Sequence, residues 1–129
     1  SITNGNGTAG NPVISAASGV FTWNDVTASP QTIAIGNGYV TDLGGGIAYT
    51  LPATASFGDE FAITGKLGLW TLAQAAGQQV NFGSTGTTVG VTGSLAATNL
   101  GDSIRCVCTT AGASTIWRVL NSVGNITVA

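Results

Sequence analysis

The side chains that could do chemistry are few. Five carboxylates (Asp25, Asp42, Asp59, Glu60 and Asp102), three cations (Lys66, Arg105 and Arg118) and two thiols (Cys106 and Cys108) are spread through 129 residues that include no histidine. Without histidine, a Ser–His–Asp or Cys–His device cannot be built within one chain, and zinc loses its main nitrogen ligand. Glycoside hydrolysis needs two carboxyl groups facing each other about 5–9.5 Å apart. Asp59 and Glu60 are adjacent, and adjacent side chains on a strand point to opposite faces. Asp59 follows Gly58 and reads as a turn residue, and Glu60 reads as an exposed strand entry. Asp25, Asp42 and Asp102 also sit beside turn residues, where a short carboxylate bonds the local backbone. The expectation is no catalytic residue, no cofactor and no metal site.

Cys106 and Cys108 are the only thiols. On a strand they share a face about 6.5–7 Å apart, at or beyond the reach of a disulfide. They are expected to be reduced core residues, with bridges between chains around a symmetry axis as the alternative. The loop-like "NGNGT" (residues 4–8) is oxygen-rich but has no carboxylate, so it does not make a calcium site. "GNGYVTDLGGG" (residues 36–46) has Thr41 where a dinucleotide fingerprint needs its third glycine. It reads as a hairpin or loop. Trp23, Trp70, Trp117, Tyr39 and Tyr49 offer ring faces that could lie against a sugar. All five fall within apolar alternation, which predicts core or subunit packing. Asn6 and Asn125 each open a glycosylation sequon, a pattern that chance supplies readily in an Asn- and Thr-rich chain.

The elements that must position these groups are strands. Apolar residues alternate in short runs separated by Gly, Asn and Ser. The runs are residues 20–23, Ile33 with Ile35, Ile47 with Tyr49 and Leu51, Phe61 with Ile63, residues 67–72, Val80 with Phe82, and Val89 with Val91. Ile104, Cys106 and Cys108 share a face, Ile116, Arg118 and Leu120 oppose Trp117 and Val119, and Ile126 with Val128 close the chain. This cadence predicts an all-β domain, an antiparallel β-sandwich or jelly-roll-like fold. The one helical candidate is "LWTLAQAAG" (residues 69–77), about two turns ended by Gly77.

Residues 19–129 are expected to form this sandwich as a tip domain. Residues 1–18 are expected to be an extended, stalk-like or inter-subunit segment, because their polar, Gly-rich composition cannot bury itself alone. The chain opens as if mid-element on Ser1, which favours excision from a longer chain over simple loss of an initiator methionine. Charged residues make up 6% of the chain, against about 25% in an average soluble protein. Solubility must then come from Thr, Ser, Asn and Gln, or from hiding surface against copies of the same chain. The cations are scattered, which argues against nucleic acid, and no apolar run is long enough to insert in a membrane.

Two stretches carry a resemblance. "ITNGNGTAGNPVIS" (residues 2–15) resembles a segment of tailed-bacteriophage fibre proteins in which Asn-Gly turns punctuate an intertwined stalk. Residues 39–84, with 87–108 and 122–128, are similar to a C-terminal module of phage tail-fibre-like and bacterial secreted or surface proteins. The similarity is carried by "TLPATA", "GDEFAITGK", "AQAAGQQ" and "GNITV", and the chain departs from it at Asp42-Leu43-Gly44-Gly45-Gly46. The resemblance implies a homotrimeric fibre tip, on a virion or an extracellular surface, that touches a host-cell glycan or protein. It supplies no catalytic motif and no ligand residues.

The expected role is therefore non-enzymatic attachment, with weak loop contacts multiplied by threefold valency. The loops nominate Asn37, Tyr39, Ser84, Thr85, Thr110 and Ser114 as ligand contacts. The alternative is a structural subunit of an extracellular filament or particle, assembled by strand pairing between chains.

Overall fold

Burial alternates residue by residue along much of the chain. Ile47 and Tyr49 are buried while Ala48 is exposed, and Trp70 and Leu72 are buried while Thr71 and Ala73 are exposed. The period of two is the signature of strands with one face on a core. The computed structural model describes residues 21–129, and the expected segment over residues 1–18 and the Asn6 sequon lie outside them. The described residues form β1 (Thr22–Val26), β2 (Gln31–Thr32), β3 (Asn37–Thr41), β4 (Ile47–Thr50), β5 (Glu60–Gly65) and β6 (Trp70–Ala73). They continue with β7 (Gln79–Phe82), β8 (Thr85–Gly86), β9 (Ser94–Ala97), β10 (Ser103–Thr110), β11 (Ile116–Val123) and β12 (Ile126–Val128).

The strands make two sheets. The larger runs β1-β3-β5-β10-β11-β7-β8 and the smaller β12-β9-β6-β4-β2. The all-β sandwich is as expected, but its strand sense is mixed. β1, β3 and β5 pair in parallel in one sheet, as do β2, β4 and β6 in the other. The chain thus winds as a flattened coil, one strand in each sheet per turn. A strand of the opposite sheet provides the crossover that parallel neighbours require. Most later pairings are antiparallel, β10 with both β5 and β11, β9 with both β6 and β12, and β8 with β7, but β7 joins β11 in parallel.

Trp70, Trp117, Tyr49, Phe61, Ile63, Leu72 and Leu95 fill the space between the sheets. The Phe61 and Trp117 rings meet edge to face with centroids 4.9 Å apart. Each buried polar tip is satisfied. Trp70 Nε1 donates to the Asp102 carbonyl at 2.8 Å, Trp117 Nε1 to Thr115 Oγ1 at 2.9 Å, and Tyr49 shares a 2.9 Å hydrogen bond with Thr41.

Two elements differ from expectation. Residues 69–77 form no helix. Leu72 and Trp70 enter the core on alternate positions of β6, and the chain then turns through a buried polar network. Gln78 Nε2 donates to the Pro52 carbonyl, and Gln78 Oε1 accepts from Ala75 N–H, both at 2.8 Å. Gln74 Nε2 reaches the carbonyls of Gln78, Thr88 and Gly90. Burying two large side chains outweighs the helix propensity of Leu, Ala and Gln. Val89 and Val91 form no strand either. They lie exposed in a loop whose backbone is tied to Gln78 and Ala129.

A candidate ligand-binding groove

The outer face of the larger sheet carries a row of register partners. Trp23 on β1 lies opposite Gly38 on β3, Gly38 opposite Ala62 on β5, Ala62 opposite Arg105 on β10, and Arg105 opposite Asn121 on β11. Gly38 lies beneath the indole, and Ala62 is the small floor between the indole at one side and a guanidinium and an amide at the other. The next row adds Thr64, Ser103 and Val123. All of these except Gly38, together with Phe21, line a groove of about 400 Å³.

Glycine at position 38 is a steric requirement of the site. A Cβ there would fall 2.5 Å from the Trp23 ring, so only glycine lets the indole lie flat on the neighbouring strand. One indole face is thereby seated, and Trp23 remains 55% exposed. Phe21 meets it edge-on at 6.1 Å. Arg105 is held from two sides. Its Nε and Nη2 donate to Glu60 Oε1 at 2.8 and 2.6 Å, and its guanidinium lies 5.3 Å from the centre of the Phe21 ring. Arg105 Nη1, the Trp23 indole N–H and the Asn121 amide have no hydrogen-bond partner among the described residues.

The sequence-nominated contacts fall in three places. Asn37 and Tyr39 line a separate cleft of about 450 Å³ with Asn24 and Gln31. Their polar atoms are already engaged there. Asn37 Nδ2 donates to the Ala34 and Ile35 carbonyls, and its Oδ1 accepts from Asn24. Tyr39 is buried, and its hydroxyl oxygen accepts from Ala34 N–H at 2.6 Å. Ser84 lies in the turn from β7 to β8 and Thr85 begins β8, at the far edge of the sheet from Asn37. Thr110 ends β10 and Ser114 lies in the following turn, both exposed. The structure brings Asn37 and Tyr39 together and leaves the other four apart from them.

Of the five aromatic rings read as core or interface, four are buried and Trp23 is not. Sequence reasoning had a signal for this. Asp25, two positions on, shares a face with Trp23, while Val26 takes the buried face. Arg105 was legible in the same way, between Ile104 and Cys106.

The remaining ionisable groups have structural settings. Asp59 Oδ2 accepts from Ser56 N–H at 2.7 Å within its turn. Asp42 pairs with Lys66 at 3.0 Å, which holds its carboxyl below the ordinary value and the Lys66 ammonium above its own. The hydrogen bond with Asp42 raises Asp25. Asp102 Oδ2 accepts from the N–H groups of Thr98 and Asn99 at 2.9 and 3.0 Å, and these bonds lower it. Cys106 and Cys108 are buried and unbridged, and burial pushes both thiols up, away from the reactive thiolate. Among the described residues no group of three or more His, Cys, Asp and Glu side chains is placed to hold a metal ion.

The opposite face of the sandwich has a different chemistry. Ala48, Thr71, Ala96 and Thr127 form one row across the outer face of the smaller sheet, and Thr32, Thr50, Ala73 and Ser94 form another. None is large and none is charged. All eight charged residues of the chain lie on or beside the larger sheet. Asp25, Glu60, Arg105 and Arg118 are on its strands, and Asp42, Asp59, Lys66 and Asp102 are next to their ends.

A comparison with protein families finds no match, and a comparison with curated proteins finds no significant match.

Proposed function

We propose that the chain is a non-enzymatic attachment domain that works as a small assembly of copies, a trimeric fibre tip presented outside the cell or on a virion. The single observation that carries this reading is the separation of the two outer faces. The strands of the smaller sheet show no charge and no bulky side chain on their outer face, and the exposed Leu69 beside β6 is apolar, so copies with net charge −2 can meet there without like-charge repulsion. Depletion of charge is the compositional mark of an interface core. Every charge lies on or beside the larger sheet, which also carries the groove, and that sheet is left to face outward. Three copies is the number that the fibre resemblance implies, and three weak sites acting together give the avidity that attachment needs.

The test is the mass of the native particle by light scattering. About three times the 12.7 kDa of the chain is expected, and a stable monomer at micromolar concentration overturns the reading. Thr71→Lys places a charge at the centre of the bare face on an exposed strand position. It is expected to release monomers that keep their strand spectrum.

A further inference from the structure

We propose that the groove on the larger sheet is a saccharide site that takes one neutral pyranose ring, stacked on Trp23 and hydrogen-bonded by Arg105 and Asn121. This inference rests on the attachment reading and names its ligand class. A pyranose has a face of C–H groups and a rim of hydroxyls. The first fits the negative face of an aromatic ring, and the second needs directed donors and acceptors. The groove supplies both within one row of the sheet. The indole has one face seated on Gly38 and the other open. Across the small floor of Ala62 stand Nη1 of Arg105, which has no partner among the described residues, and the amide of Asn121. The indole N–H adds a third donor at the near side.

The alternatives fit less well. A purely apolar ligand would cover three polar groups without pairing them, at a desolvation cost. An anionic ligand gains little, because the Arg105 charge is already matched by Glu60 at 2.6 Å. The volume of about 400 Å³ lies within the range of about 300–1,000 Å³ typical of small-molecule sites. The site is also preorganised. Glu60 and Phe21 hold the guanidinium, so little side-chain freedom is lost on binding.

The experiment uses the full chain in its native assembly. Immobilised oligosaccharides of neutral hexoses, N-acetylhexosamines and uronic acids are the probes, and positives are titrated by tryptophan fluorescence. Trp70 and Trp117 are buried, so acrylamide should quench Trp23 alone, and a bound sugar should protect it. Trp23→Ala should weaken binding at least about tenfold, as loss of the stacking face requires. Asn121→Ala, at an exposed position, should weaken it severalfold with an unchanged melting temperature. Binding that survives both substitutions, or that is confined to uronic acids, overturns the proposal. So does a Trp23 that acrylamide cannot reach in the native assembly, which would place protein over the groove. Light scattering keeps the two readings apart. A trimer without sugar binding at Trp23 defeats the inference alone, whereas a monomer defeats the attachment reading.

Discussion

Gln78 is the buried polar residue whose removal the structure prices most directly. Its side chain is fully buried, with Nε2 donating to the Pro52 carbonyl and Oε1 accepting from Ala75 N–H. Gln78→Ala leaves the Pro52 carbonyl buried and unpaired, while the N–H of the exposed Ala75 can turn to water. The buried orphan costs about 1–3 kcal/mol, and the vacated side-chain volume adds to this. A loss of about 3 kcal/mol or more is expected, a large share of the 5–15 kcal/mol or so that holds a typical domain together. The melting temperature should fall by about 10 °C. Urea unfolding followed by the emission of the buried tryptophans measures it. Two protein concentrations are needed, because the proposed self-association would add stability by mass action. Gln78→Glu sharpens the test. It keeps an acceptor for Ala75, but only a protonated carboxyl can donate to Pro52, so burial should raise its folded pKa. A raised folded pKa gives stability that is full below about pH 4.3 and is lost as pH rises through the folded value. Gln78→Ala should show no such dependence. A loss below about 0.5 kcal/mol for Gln78→Ala, or a pH-independent Gln78→Glu, would refute the claim that the network holds the turn between β6 and β7.

Asp102→Asn should weaken the protein at neutral pH and flatten its acid unfolding. The native carboxylate has a lowered pKa, so its contribution is full above about pH 4 and fades as pH falls through the folded value; acid titration of both forms by circular dichroism checks this. Gly124→Ala should destabilise strongly, because Gly124 has φ +90° and a Cβ there would collide with the Asp102 carboxylate; thermal melting reads the effect. Cys106 and Cys108 should resist a thiol reagent at pH 8 in the native protein and both react once it is unfolded, since burial keeps them protonated.

Much of the core was legible because a buried strand writes its period into the sequence. The pairs Ile47 with Tyr49 and Phe61 with Ile63, and the run Ile104, Cys106, Cys108, all point inward as their spacing predicts. The stretch over residues 69–77 was less legible, because its Ala, Leu and Gln content signals local helix preference while Trp70 and Leu72 answer to a distant sheet. Val89 and Val91 alternate as a strand does but have no partner strand to pair with. Strand sense was hidden altogether. Gly36 and the glycines at 44–46 look like hairpin turns, yet the chain leaves each to enter the opposite sheet. Of the groove, the outward aim of Trp23 and Arg105 could be read from their neighbours. The seat for Trp23 could not, since Gly38 becomes its partner only through a parallel register that joins positions fifteen residues apart.

The same winding explains how a chain with eight charges can give its two surfaces different chemistry. Each turn of the coil sends one strand to the larger sheet and the next to the smaller. Successive short segments are therefore free to diverge: TWNDV carries Trp23 and Asp25 outward and EFAITG carries Glu60, whereas QT, IAYT and WTLA carry only Ala and Thr on their outward positions. β9 and β12 extend the bare face with Ser94, Ala96 and Thr127, and β10 and β11 extend the charged one with Arg105 and Arg118. Small uncharged side chains keep a sheet face flat, and a flat face can meet its copy over its whole width without buried charge to desolvate. In the assembly proposed above the larger sheet faces outward, with the exposed Trp23 indole beside donors of Arg105 and Asn121 that have no partner among the described residues. An exposed indole beside such donors is what a surface-binding site requires.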